Sequence, residues 1–372
     1  MKVLYVSKAL VVAAYREKLR ALAREVDVTA LLPSRWGTQP VEEGDVGTAI
    51  LRRDAWLHGR NHLHVYPGIA GVLDTLRPDF VHIDEEPYSA VTLQLARECR
   101  RRGVPCVFFA WQNLAKRLPP PFGALRSWVF ENVAGGIAGT PRAAEVLRRA
   151  GFTRPLAIIP QLGVDPARFA PDAGARARTR RMLGVPDGAF VLGFGGRLVP
   201  EKGVDVLVEA LARLPDVRLL LLGAGPERPR LEAQARAAGV AGRVRFAGRI
   251  GSLDMPAWLR ALDVLALPSR TTRRWSEQFG RILVEAMACA VPVVASDSGE
   301  IRHVVGDAGI LVAEGDAASL AAAVAPLAAD PCRRAELAAR GRERVLARFT
   351  HERIAAETVA FYRALLPREV AP

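Results

Sequence analysis

Short runs rich in valine, leucine and isoleucine alternate along this chain with amphipathic stretches of helical period, the pattern of a parallel α/β sheet. The spacing predicts strands over 2–6, 26–32, 80–83, 106–109 and 136–138, then over 190–194, 218–222, 244–247, 264–267 and 291–295. Helical stretches over 15–24, 88–102 and 141–149 separate most of the first set, which makes that half doubly wound. At 372 residues and 50% apolar composition, the chain can bury two cores of roughly 180 residues each. A proline-rich connector at 158–166 and a polar, basic stretch at 171–181 put the boundary between them.

The run Glu277-Gln278-Phe279-Gly280-Arg281-Ile282-Leu283-Val284-Glu285 carries the most chemistry. Ile282, Leu283, Ala286, Met287 and Ala290 form one helical stripe, so a helix is predicted to start near Phe279. Glu277 then lies on the incoming loop, and Glu285 sits roughly 7 Å along the axis from Gly280. A helix start with free N–H groups and a glycine is a seat for a phosphate, and flanking carboxylates accept from vicinal sugar hydroxyls. The plainer reading makes Glu285 a surface residue paired with Arg281 and Glu277 an ordinary loop charge. A second segment, Gly193-Phe194-Gly195-Gly196-Arg197-Leu198-Val199-Pro200-Glu201-Lys202-Gly203, follows an apolar strand and leads into a helix. The chain has 47 arginines and 5 lysines, and Lys202 is the last lysine. A lone lysine where arginine is the default cation suits a phosphate partner; a solvated β-turn tip is the alternative.

Gly196-Arg197 with Lys202-Gly203, followed about eighty residues on by Glu277-x7-Glu285, resembles glycosyltransferase family 4, retaining enzymes of the GT-B fold. Most of the chain takes part, since 291–300 looks like the family's next strand and turn and 156–171 like its interdomain linker. The resemblance implies two Rossmann-like domains facing a cleft: an acceptor-side domain of residues 1–165 joined by a C-terminal helix over about 352–372, and a donor domain of residues 166–351. It implies that Arg197 and Lys202 neutralise the donor diphosphate and that Glu285 holds the ribose. Glu277 would contact the transferred sugar, and Gly196, Phe279 and Gly280 would border the diphosphate with backbone atoms. Arg249 and Ile250, in the strand end 246–250, would border the nucleobase, the alternative being a simple strand end. Gln278 stands where the family often has glycine.

On the acceptor side, His82 is expected at a strand's carboxyl end, where open α/β sheets bind ligands, or as a polar strand terminus. Gln112 and Asn113 follow the next strand, near a place where many family members have histidine. An amide pair there suits hydrogen bonding to sugar or acceptor rather than proton transfer. His62-x-His64 has metal-ligand spacing on a strand, but no Cys, Asp or Glu cluster accompanies it, and no metal is expected. Lys116, Arg117, Phe122, Arg126 and Trp128 mix cations with aromatics, either as an edge touching a membrane surface or as a helix packed into its domain.

Composition narrows the alternatives. The formal charge of +13 is spread evenly, with 22 basic and 16 acidic residues in 1–165 and 30 and 23 in the remainder. That suits attraction to anions such as nucleotides or acidic lipids and not a nucleic-acid arm, and no nucleic-acid module is present. The four cysteines lack C-x-x-C spacing and read as free thiols of a reducing cytosol. Lys8 splits the apolar start in a way that suits a strand and turn rather than an export signal. No uncharged apolar run reaches about 18 residues. The expectation is a cytoplasmic enzyme, soluble or peripheral at the inner membrane face, that moves a hexose from a nucleotide diphosphate sugar to a hydroxyl acceptor: a glycan, a lipid-linked glycan or a small molecule. No cofactor is expected beyond the nucleotide sugar. A GT-B sugar-nucleotide epimerase, a nicotinamide oxidoreductase lacking the usual glycine fingerprint, and a non-catalytic nucleotide-sugar-binding protein are the alternatives.

Overall fold

The computed structural model describes residues 1–44 and 47–366. They form two compact units, one of residues 1–163 with the helix His351–Leu365, the other of Val164–Thr350.

Unit 1 is built on seven parallel strands, β1 (Lys2–Val6), β2 (Asp27–Pro33), β3 (Ala49–Arg53), β4 (Phe80–Ile83), β5 (Cys106–Ala110), β6 (Gly135–Ala138) and β7 (Leu156–Ile158), in the order β3-β2-β1-β4-β5-β6-β7. Helices cover both faces, so successive residues of a central strand enter different cores. Val3 and Tyr5 pack with Leu19, Leu22, Ile354 and Tyr362. Leu4 and Val6 pack with Leu73, Val91, Leu95 and Phe130. Local signals agree with the packing: helix Pro141–Arg149 opens with proline and is capped by Thr140, whose hydroxyl accepts from Ala143 N–H at 3.3 Å.

The last helix, His351–Leu365, lies against Ala13–Ala23 and buries Ile354, Val359 and Tyr362. This packing corrects the expectation for His82. Its parity on β4 matches Phe80, not Val81 or Ile83, which turns it toward the face that the last helix covers. It is 3% exposed, stacks on Tyr5 at 4.3 Å, and its Nδ1 lies 2.6 Å from the Tyr362 hydroxyl. Burial pushes its pKa down to about 3, so the ring is neutral and docks the helix rather than facing a ligand.

Unit 2 has six parallel strands, β8 (Phe190–Gly195), β9 (Val217–Leu222), β10 (Val244–Gly248), β11 (Val264–Leu267), β12 (Val293–Ser296) and β13 (Ile310–Val312), in the order β10-β9-β8-β11-β12-β13. Ten strands sit where the periodicity places them, within a residue or two. Besides a two-residue antiparallel pair, Arg35–Trp36 with Gln39–Pro40, it missed β3, β7 and β13, which are edge strands of three to five residues with partly exposed side chains. A strand covered on one side only needs no long apolar run, so its pattern is weak. Among the described residues, no helix is long and apolar enough to cross a membrane.

Candidate active site

In unit 2 the chain lays β8, β9 and β10 outward in one direction, then returns to β11 beside β8 and continues the other way through β12 and β13. The reversal falls at the carboxyl ends of β8 and β11, the place where open α/β sheets bind ligands. Both charged sequence segments leave from these two ends. Gly196 to Gly203 follows β8, and Ser269 to Gly280 follows β11.

The structure brings Lys202 and Glu277 together. Lys202 Nζ donates to Glu277 Oε2 at 2.5 Å, and Ser269 Oγ donates to the same oxygen at 2.8 Å. Lys202 also sits 5.0 Å from the centre of the Trp275 ring. Glu277 is 6% exposed, so this is a largely desolvated ion pair, whose geometry matters more than that of a surface pair. Two glycines make the approach possible. Gly203 has φ 64°, and a β-carbon there would lie 2.1 Å from the Pro268 carbonyl oxygen. Gly299 has φ 56°, and a β-carbon there would lie 2.1 Å from the Glu277 carbonyl oxygen, which accepts from Glu300 N–H at 2.9 Å. Gly203→Ala is therefore expected to destabilise unit 2 by more than the roughly 1 kcal/mol of an ordinary left-handed glycine replacement, and to weaken any ligand of Lys202. Urea unfolding and nucleotide titration of the variant check both effects.

Helix Arg281–Ala288 begins two residues later than expected, with Gly280 as its N-cap at φ 75°. Phe279 is 4% exposed and packs its ring edge-on to Phe349 at 5.8 Å, which anchors the helix entry. Glu285 does pair with Arg281, at 2.7 Å, yet it is 7% exposed and so is not the surface residue of the plainer reading. Arg197 stands apart: its guanidinium is exposed and lies 3.8 Å from Glu201 rather than joining the Lys202–Glu277 pair. Arg249 is exposed and Ile250 half-buried just beyond β10. Ser269 and Trp275 were missed; nothing in the local sequence marks either as a partner of Lys202.

Unit 1 has its own reversal between β1 and β4. Lys8, just after β1, pairs with Glu85, just after β4, whose side chain is 1% exposed. Lys18 binds Asp84 at 3.0 Å with both groups buried, and Gln161 donates its amide to Asp84. Trp111 Nε1 donates to Gln161 Oε1 at 2.8 Å. The backbone amides of Trp111 and Gln112 donate to Glu86 Oε1 at 2.8 and 3.1 Å. Burial pushes the Glu86 carboxyl up to about 7 despite those two donors and nearby Lys8. Gln112 and Asn113 follow β5 as expected, Gln112 half-buried with Nε2 donating to the Leu114 carbonyl, and Asn113 buried. His62 lies in a turn and His64 just after it, outside any strand, so the same-face argument does not apply to them. Sequence reasoning missed the partners of Lys8 and Lys18, because three of the five lysines fall in the first 20 residues and neither stands out there as Lys202 does.

Two parallel-sheet α/β units of this kind define the GT-B architecture, and solved structures share it. HepE of Anabaena, crystallised with UDP, superposes with a TM-score of 0.79 at 21% identity, covering 98% of this chain and 100% of that one. A glycosyltransferase from Rickettsia africae does so with a TM-score of 0.80 at 16% identity, covering 99% of each. Residues 175–344 match the family of glycosyl transferases group 1, and residues 10–161 match the glycosyl transferase 4-like domain. The lipopolysaccharide core biosynthesis glycosyltransferase LpsE of Rhizobium meliloti is 34% identical over 267 residues, 68% of this chain and 74% of the relative. The chain belongs to the group 1 glycosyltransferases. A GDP-mannose-dependent α-(1-6)-phosphatidylinositol monomannoside mannosyltransferase of Mycolicibacterium smegmatis is 41% identical over 188 residues, 48% of this chain and 49% of the relative. This chain spans about half the length of that relative.

Proposed function

We propose that this protein is a retaining glycosyltransferase that moves a hexose from a nucleoside diphosphate sugar to an acceptor hydroxyl in glycoconjugate biosynthesis. The observation that carries the reading is the buried Lys202–Glu277 pair at the β8–β11 reversal, next to the glycine-capped start of helix Arg281–Ala288. An ammonium has three donors, and Lys202 gives one to Glu277, which leaves two for phosphate oxygens. Lys202, Arg197 and the amides of Phe279 and Gly280 bind the diphosphate, with Gly196 letting it approach; Glu285 holds the ribose and Glu277 the sugar. Arg249 and Ile250, two strands from β8 and so about 10 Å away, border the nucleobase. The acceptor attacks on the face from which the diphosphate leaves, and the departing phosphate oxygen takes its proton, so configuration is retained. Lysine, arginine and helix amides compensate the developing charge without a metal or further cofactor. The names of the relatives support a nucleotide-sugar donor and a glycan or lipid-linked acceptor.

Glu285→Gln and Glu277→Gln separate the two ends of the donor. Glu285→Gln is expected to weaken the free nucleoside diphosphate by about tenfold, because a neutral amide is a poorer acceptor for paired ribose hydroxyls. Glu277→Gln is expected to leave that affinity unchanged or tighter, since Lys202 loses its competing carboxylate, while turnover falls. Calorimetry with UDP and GDP and a transfer assay with intact donors measure both; equal loss of diphosphate affinity in the two variants refutes the assignment.

A further inference from the structure

Lys202 is held by more than its acid. The segment 270–275, which leads from β11 toward Glu277, is a turn closed by one side chain. Thr272 N–H donates to the Trp275 carbonyl at 2.7 Å, and the Thr272 hydroxyl accepts from the amides of Arg274 and Trp275 at 3.3 and 2.9 Å. The start of the turn is tied to the segment that carries Lys202: Arg270 N–H donates to the Glu201 carbonyl at 2.8 Å, and its guanidinium to Asp205 at 2.9 Å. Thr271 is held as well, its N–H and hydroxyl each donating to the Glu314 carboxylate at 2.6 Å. Residues 271–274 are exposed, so this bonding encloses no core. What it fixes is Trp275, half-buried, with Lys202 Nζ 5.0 Å from the centre of its ring.

The two partners of the ammonium do different things. Glu277 accepts one of its hydrogens, as a phosphate oxygen would, and so competes with a donor for them. The indole face attracts the charge but offers no lone pair, so it restrains a long, flexible side chain and leaves the remaining hydrogens for phosphate. The Lys202 side chain is 15% exposed, and the attraction of a cation to a ring face strengthens as water is excluded. We propose that Trp275 is a positioning residue of the transfer step: its ring holds the Lys202 ammonium where it meets the departing diphosphate, and the 270–275 turn sets the ring. The assignment rests on the reading of Lys202 as the partner of the leaving group, and adds that the ring acts through Lys202 and not on the donor. A π face, not bulk, is then what position 275 must supply.

The test uses the full chain, calorimetry with UDP and GDP, and release of nucleoside diphosphate from UDP-glucose and GDP-mannose, which needs no acceptor because water takes the sugar. Trp275→Leu keeps apolar bulk and loses the π face. It is expected to lower kcat about tenfold and to weaken the diphosphate only about threefold, because the ammonium meets more charge in the transition state. Trp275→Phe is expected to stay within about threefold of wild-type kcat. Adding Trp275→Leu to Lys202→Ala should change either quantity by no more than about twofold, since the ring then has no cation to hold. Mono-, di- and trifluorotryptophan weaken the ring face in steps at nearly constant shape. They should lower kcat in steps in the wild type and not in the Trp275→Phe protein, and they serve if the leucine variant fails to fold. A folded Trp275→Leu protein with wild-type kcat, or the same loss with and without Lys202, overturns the assignment and leaves Lys202 its role. A Lys202→Ala protein with wild-type kcat, or a wild type that neither binds UDP or GDP nor cleaves either sugar nucleotide, sinks the donor reading and the assignment with it.

Discussion

Lys202→Ala is expected to lower kcat/KM for sugar transfer by roughly 100- to 1,000-fold, about 3 kcal/mol of transition-state stabilisation. The ammonium meets more charge as the diphosphate departs than in the bound donor, so kcat should fall more than diphosphate affinity. The structure adds a second cause. With the lysine gone, Glu277 keeps the Ser269 hydroxyl but loses its counter-charge in a 6%-exposed position. That uncompensated carboxylate also repels the donor phosphates. Lys202→Arg is expected to rescue only in part, because a planar guanidinium does not fit where a compact ammonium lies between the Glu277 carboxylate and the Trp275 ring. Steady-state kinetics, calorimetry and a melting curve on each variant separate catalysis from folding. A folded Lys202→Ala protein with near-normal kcat/KM would show that Lys202 does not serve the leaving group.

Asp84→Ala is expected to destabilise unit 1 by about 3–5 kcal/mol, because it strands Lys18 as a buried charge without a partner. For a unit of this size that is a fall in Tm on the order of 10 °C. It also frees Gln161 and, through it, Trp111, whose backbone amide holds Glu86. Burial pushes the Asp84 carboxyl up, but the charge of Lys18, the hydrogen bonds of Lys18 and Gln161 and, once it is protonated in acid, His82 outweigh it, and its pKa falls to about 2. A carboxyl depressed in the folded state contributes stability that is complete above its unfolded pKa of about 4 and is lost as pH falls through about 2. Wild type should therefore lose this contribution between about pH 4 and 2, and Asp84→Ala should have none to lose there. Replacing both partners, Lys18→Met with Asp84→Leu, is expected to recover much of the stability. Nucleotide affinity should be untouched, since every residue proposed to bind the donor lies in unit 2. Equal Tm values for wild type and Asp84→Ala at pH 7 would contradict the buried-pair account.

The central strands and the two charged segments that end them were legible because their signals are local. A strand buried on both faces must be apolar throughout, which is why 190–194, 218–222 and 264–267 stand out. Glu277, Gly280 and Glu285 stand out because a left-handed glycine cap and the acids around it fall within one short run. The edge strands Ala49–Arg53, Leu156–Ile158 and Ile310–Val312 did not, since one open side relaxes the pattern.

His82 shows where such reading fails. Its neighbours in sequence, Asp84 to Glu86, suggested a ligand-facing end, whereas strand parity and the Tyr362 hydroxyl, 280 residues away, turned it inward. Periodicity and composition could establish alternating strands and helices, two cores and a glycine-capped helix start beside acids, because each depends on residues a few positions apart. Which unit the last helix joins, which acid each scarce lysine meets, and that Ser269 and Trp275 complete the Lys202 site depend on strand order. Strand order is set by how whole faces bury one another, and no local stretch of chain encodes it.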